Sequence, residues 1–145
     1  MKKIAIIGTC FLGIALFVYY RAHPLAPQLE IRGNKFTVEL AITDKEREKG
    51  LGYRDALPAN QGMLFVYDHP EQYNFWMKGM RFPIDIIWIQ DKKIVDISPN
   101  VPIAIGENLS TYTPKIPVSQ ILEVNAGTVD RLGIQIGDAV KILKN

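Results

Sequence analysis

Cysteine and histidine are nearly missing from these 145 residues, and their scarcity removes whole classes of chemistry. The one cysteine, Cys10, lies inside an apolar run with no second cysteine to pair with. An intramolecular disulfide, a Cys–His nucleophile pair and a Cys- or His-rich zinc site are therefore excluded. The two histidines are His23, in the linker just before Pro24, and His69, just before Pro70. There is no Gly-x-Ser-x-Gly elbow and no phosphate-cradling glycine motif, and Ser98, Ser110 and Ser119 lack an evident base. No metal and no cofactor is implied.

An excess of one charge is missing as well. The chain carries 17 basic and 15 acidic residues. Lys2, Lys3 and Arg21 flank the amino-terminal apolar run, and without them the balance is 14 basic against 15 acidic. A nearly neutral domain has no electrostatic footprint for nucleic acid. At 48% hydrophobic and 22% charged, the composition is that of a chain that folds.

What is present begins with a membrane signal. Ile4 to Tyr20 is uncharged, and as a helix it would span about 25 Å. A cleaved signal peptide also starts with positive charge and an apolar stretch. Here, however, the run ends in Val18-Tyr19-Tyr20-Arg21 with no small-x-small exit, and the tyrosines suit a membrane interface. Ile7-Gly8-Thr9-Cys10 is a poor lipoprotein site, so Cys10 reads as a small apolar residue of the helix. Residues 1–21 are expected to be an uncleaved, single-pass anchor, with two lysines holding the amino terminus in the cytoplasm and the domain outside. Residues 22–28 carry Pro24 and Pro27 and read as a short stiff linker.

One domain is expected from residue 29 to 145. Leu29-Glu30-Ile31, the turn at Gly33-Asn34 and Lys35 to Ile42 predict a hairpin, with Phe36, Val38, Leu40 and Ile42 on one face. Thr43-Asp44-Lys45-Glu46 is a capping box for a short helix that Gly50 ends. Further apolar runs at 63–67, 84–89, 94–97, 121–124 and 139–143 predict strands, and Asp91-Lys92-Lys93 joins two of them as a second hairpin. Thr128 to Leu132 can form one helical turn, with Gly137-Asp138 leading into the last strand. The expected fold is α+β and mostly β. It is a compact barrel-like or sandwich-like domain of about seven short strands with one or two short helices, behind the amino-terminal membrane helix.

Several of these segments together resemble the family known as domain of unknown function 192. The residues that carry the resemblance are Thr43-x-x-Glu46-Arg47-x-x-Gly50-Leu51, Arg54, Leu57 and Gly62-Met63-Leu64-Phe65. They continue with Phe75-Trp76-Met77-Lys78, Pro83-Ile84-Asp85-Ile86-Ile87-Trp88-Ile89, Leu122-Glu123-Val124, Ala126-Gly127 and Gly137-Asp138. The resemblance implies a compact β-rich domain, often behind a signal or anchor segment, and assigns no activity. The sequence departs from the family pattern at Gly52, where methionine is frequent, and at Gly79-Met80, where Asn-Thr is common.

Four places can carry chemistry. Asp85 lies in a strand that is apolar on both faces, so it needs a partner, and Arg54 and Arg47 are the nearest candidates in sequence. Glu123 shares a face with Ile121, and with Asp85 it could form an acid–base pair of the glycoside-hydrolase kind. Trp76 with Lys78 could make a stacking platform, although aromatic residues so spaced more often belong to a core. Lys78 and Arg81 could hold an anion or remain solvated. The reading that follows is a membrane-tethered envelope domain, not an enzyme, that binds a small molecule, glycan or partner protein through a cleft near Arg54, Trp76, Lys78, Asp85 and Glu123. The alternative is an envelope hydrolase that uses Asp85 and Glu123.

Overall fold

Both hairpins expected from the sequence form, and each turns on two residues held in left-handed backbone. The computed structural model describes residues 26–104 and 109–143, so the expected membrane helix at 1–21 lies outside the described residues. Among the described residues no helix is long and apolar enough to cross a membrane. Strand β1 (Gln28–Ile31) pairs with β2 (Asn34–Ala41) across Arg32 and Gly33, whose φ angles are 51° and 76°. Strand β5 (Ile84–Gln90) pairs with β6 (Lys93–Val101) across Asp91 and Lys92, at 50° and 60°. Two successive residues with positive φ make the tight turn whose twist matches that of paired strands.

Helix α1 (Asp44–Lys49) starts at the capping box. The Thr43 hydroxyl accepts from the Glu46 N–H at 3.3 Å, and the Glu46 carboxylate accepts from the N–H groups of Thr43 and Ile42. Gly50 ends the helix at a φ of 49°. The other elements are β3 (Gln61–Glu71), β4 (Phe75–Trp76), β7 (Thr111–Tyr112), β8 (Val118–Asn125), α2 (Thr128–Leu132) and β9 (Val140–Leu143). Strands β3 and β6 run past their apolar stretches through exposed residues that include Pro70 and Pro99. Their ends carry no hydrophobic alternation, so the periodicity that found the strands stops short of them.

Seven strands form one sheet in the order β6-β5-β8-β3-β2-β1-β9, and the two-residue β4 and β7 form a separate ribbon. Only β2 and β3 run parallel. The sheet curls until its outer strands meet at one end. Ile94 donates to the carbonyl of Asp138, Gly137 donates to Ile94 and Val140 to Lys92, at 2.8–3.0 Å. The result is a curled half-barrel with two short helices.

Both faces of the sheet are packed. Leu29, Ile31, Phe36, Val38, Leu64, Ile87, Ile89, Leu122 and Val124 belong to one core. Ala41, Leu51, Met63, Phe65, Ile84, Ile86, Trp88 and Ile121 belong to the other. Strand β5 feeds both, which is why its apolar residues are continuous rather than alternating. The single apolar face expected for β2 is corrected here. Phe36 and Val38 are buried, but Leu40 and Ile42 are exposed, because burial changes sides at Ala41, which packs with Leu51 and Phe65.

Asp85 is fully buried, as its strand implied, but its partner is not arginine. One carboxylate oxygen accepts from the N–H groups of Asn100 at 2.8 Å and Gly127 at 3.2 Å. The other accepts from Val129 at 2.8 Å. The expected arginines are engaged elsewhere. Arg54 forms a two-point ion pair with Glu39, at 2.6 and 2.8 Å, and Arg47 bonds to Asp44 and to the Val66 carbonyl. The first turn of a helix leaves N–H groups without intrahelical partners, and α2 presents one of them, that of Val129, to Asp85. Asp85→Ala is therefore expected to lower the unfolding free energy by about 3–5 kcal/mol. Arg54→Ala should cost less than about 1 kcal/mol, since its pair with Glu39 is largely exposed. Denaturant melts of the two single variants and the double variant measure the coupling. Additivity within about 0.5 kcal/mol is expected, and a larger coupling would restore arginine as the partner.

Candidate functional site

Three acidic side chains are buried among the described residues: Asp85, Asp96 and Glu123. Asp96 accepts from the N–H groups of Ile97 and Lys115, both at 3.0 Å, and pairs with the Lys115 ammonium. Glu123 is 5% exposed and has neither a hydrogen bond nor an ion pair among the described residues. Among the described residues no side-chain nitrogen or oxygen is fully buried without a partner. The Glu123 carboxyl oxygens therefore keep their remaining exposure, and that exposure is to a cavity.

The register of β8 fixes this direction. Glu123 lies opposite Met63 of β3 and Ile86 of β5, on the face of Ile121. Asp85 lies opposite Val124, on the other face. A carboxylate pair in one cleft, as glycoside hydrolysis requires, is thus not formed by Asp85 and Glu123. One residue of offset in a strand reverses the face.

The cavity holds about 250 Å³. Its aromatic wall is Phe65, Tyr67, Phe75 and Trp76, and its charged lining includes Arg47, Glu48, Lys49 and Lys78. Phe65 and Phe75 meet edge to face with centroids 4.9 Å apart. Tyr67 stacks on Tyr73 at 3.5 Å, and the Arg47 guanidinium lies 4.5 Å from the Tyr67 ring centre. Trp76 is 48% exposed, and the Lys78 ammonium stands 5.9 Å from the centre of its ring. Burial pushes the Glu123 carboxyl up to about 8 and the Tyr67 hydroxyl up to about 12.

Backbone packing sets the position of the lysines. A side chain at Gly52 would put its Cβ 2.9 Å from the Lys49 carbonyl and 3.2 Å from that of Lys78. The neighbouring Tyr53 donates its N–H to Gly79, whose missing side chain leaves room for the Tyr53 ring. Gly79 has a φ of 71°, where a side chain would be strained as well as crowded. Close contact between these two segments brings Lys49 and Lys78 to one mouth. Gly52 and Met80, two of the departures from the family pattern, both line the cavity.

Of the residues singled out in the sequence, the structure brings together Trp76, Lys78 and Glu123. It holds Arg54 against Glu39 and Asp85 beneath α2, and Arg81 pairs with Asp55. Arg47, expected as a partner for Asp85, lines the cavity instead, together with Tyr67 and Lys49, which the sequence does not single out. The alternation Met63-x-Phe65-x-Tyr67 places Tyr67 on the Glu123 face of β3 and is the signal that finds it.

The unpartnered acid has a measurable cost. Between about pH 4.5 and 8 the folded chain keeps a proton on Glu123 that the unfolded chain has released, so stability falls as pH rises through this range. Glu123→Gln is expected to remove that slope, with stability near wild type at pH 5 and higher by several kcal/mol, on the order of 4, above pH 8. Thermal melts from pH 5 to 9 measure it. Parallel pH profiles for the two proteins would contradict a buried, unpaired Glu123.

Comparison with known proteins adds family and fold. A crystal structure of a protein of unknown function from Novosphingobium aromaticivorans DSM 12444 is similar to this chain, with a TM-score of 0.73 and 30% identity over 83% of this chain and 95% of that one. A candidate transcription regulator from Sinorhizobium meliloti 1021 is similar at a TM-score of 0.72 and 34% identity, over 80% and 92%. No curated protein matches the chain. The family described as DUF192, uncharacterized ACR, matches residues 27–142, and the chain belongs to that family.

Proposed function

We propose that this chain is a non-enzymatic, membrane-tethered binding module that takes a small molecule, or the end of a glycan or partner protein, into the Glu123 cavity. The observation that carries the reading is Glu123 itself, a buried carboxyl without a partner in a chain whose other buried carboxylates are fully bonded. Burying a polar group without a hydrogen bond costs stability, and a site that tolerates the cost keeps the group for a ligand. Exposed Trp76 at the rim offers an aromatic face beside it. Binding is favoured over hydrolysis because the second carboxylate of the pair is turned to the opposite face. Tyr67, with its hydroxyl held near 12, is a poor proton carrier at neutral pH.

A thermal-shift screen of small polar and aromatic molecules on the full chain tests this reading. A ligand at 100 times its Kd stabilises by roughly 3 kcal/mol, a shift of several degrees. At least one compound should act this way on the wild type, and both Glu123→Gln and Trp76→Ala should abolish its effect. A screen in which every stabilising compound acts equally on both variants would refute the cavity as the site.

Membrane tethering rests on the uncharged run from Ile4 to Tyr20, closed by Arg21 without a cleavage site. Amino-terminal sequencing of the membrane fraction should find the mature chain beginning before Ile4. A start beyond Arg21 would show that the segment is removed.

A further inference from the structure

The cavity is acidic at its buried end and basic at its mouth, and that polarity narrows the class of ligand. Beside it lies a second hollow of about 220 Å³, lined by Lys45, Glu48, Lys49, Tyr53 and Lys78. The two share Glu48, Lys49 and Lys78 in their linings, so the hollows are adjacent. Lys45, Lys49 and Lys78 form no ion pair among the described residues; Glu48 lines the hollow with them, and the charge of Lys49 also acts on Glu39, which is paired with Arg54. Arg47 does not neutralise Glu123, because its guanidinium is held by Asp44 and the Val66 carbonyl. The remaining ionisable group lining the cavity is Tyr67 on β3.

Each simple ligand class leaves part of this arrangement unused. A lone anion would answer the lysines but leave the buried Glu123 carboxyl without a cation. A lone cation would answer Glu123 but enter past the ammonium groups of Lys49 and Lys78. A neutral ring could stack on Trp76 and leave both sets of charges without a counterpart. A molecule with a cation at one end and an anion at the other satisfies both, because a desolvated pair is favourable only when its charges and remaining hydrogen bonds are matched.

From this geometry, and resting on the binding reading above, we infer that the ligand is a short zwitterion. Its primary or secondary ammonium donates to Glu123, which gives up its proton to solvent as the ligand binds, and its carboxylate or phosphate sits between Lys49 and Lys78. The volume near 250 Å³, below that of a drug-sized pocket, suits a molecule with only a few carbons between its two charges.

Calorimetry on the full chain tests the inference with ω-amino carboxylates from glycine to 6-aminohexanoate. Butylamine supplies the cation alone, butyrate the anion alone and glucose a neutral molecule. One chain length should bind at least about tenfold more tightly than butylamine or butyrate. Glu123→Gln should reduce that affinity to the level of butyrate, and Lys49→Ala with Lys78→Ala should reduce it to the level of butylamine. Circular dichroism checks that each variant is folded. Glucose bound through Glu123, with no ω-amino carboxylate exceeding its two halves, would overturn the zwitterion and leave the binding reading intact. Absence of binding by any probe, together with a silent thermal-shift screen, would overturn both.

Discussion

The closure of this half-barrel depends on one carboxylate. Asp85 collects three backbone N–H groups from residues 15, 42 and 44 positions away, and so ties β5 to the end of β6 and to the first turn of α2. A helix of five residues has little stability of its own. Held at its first turn, it places Val129 and then Ile134 in the core that also contains Val140. The chain then passes Gly137 and Asp138, where it meets β6. Asp85 thus acts at the start of the path that brings the two outer strands together.

The same sheet treats its carboxylates in opposite ways, and the difference separates scaffold from site. Asp85 and Asp96 are surrounded by backbone donors, which supply the partners a buried charge requires. Glu123 projects from the adjacent central strand into a wall of aromatic rings, where no donor among the described residues reaches it. Identical chemistry one register position apart therefore yields a rigid tether on one face and an open demand on the other. Nearby, Arg47 illustrates the same rule, since its charge is spent on Asp44 and a carbonyl while its plane covers Tyr67.

Local features were legible in the sequence and distant pairings were not. The capping box at Thr43, the helix end at Gly50 and both hairpins depend on residues within a few positions of one another. Strand parity correctly split β5 into two apolar faces. It also contained the evidence against a carboxylate pair, but the relative register of β5 and β8 is set by pairing that no local pattern encodes. Proximity in sequence misled the choice of partner for Asp85, because donors more than 40 residues away fit better than Arg54 or Arg47. Burial of Glu123 was hidden for a related reason, since its cover comes from α1, β4 and the segment between Gly50 and Gly52.

The position of β1 has a consequence for the order in which the chain can fold. The first strand lies between β2 and β9, and its register pairs Gln28 with Leu143. On a ribosome the hairpin of β1 and β2 emerges early, yet one side of β1 stays open until the last strand has been made. Strand β8, which joins β3 to β5, also arrives late. Pairings across such long separations close slowly. Completion of the sheet therefore waits until β9 has been made, and the nascent chain carries unpaired strand edges until then.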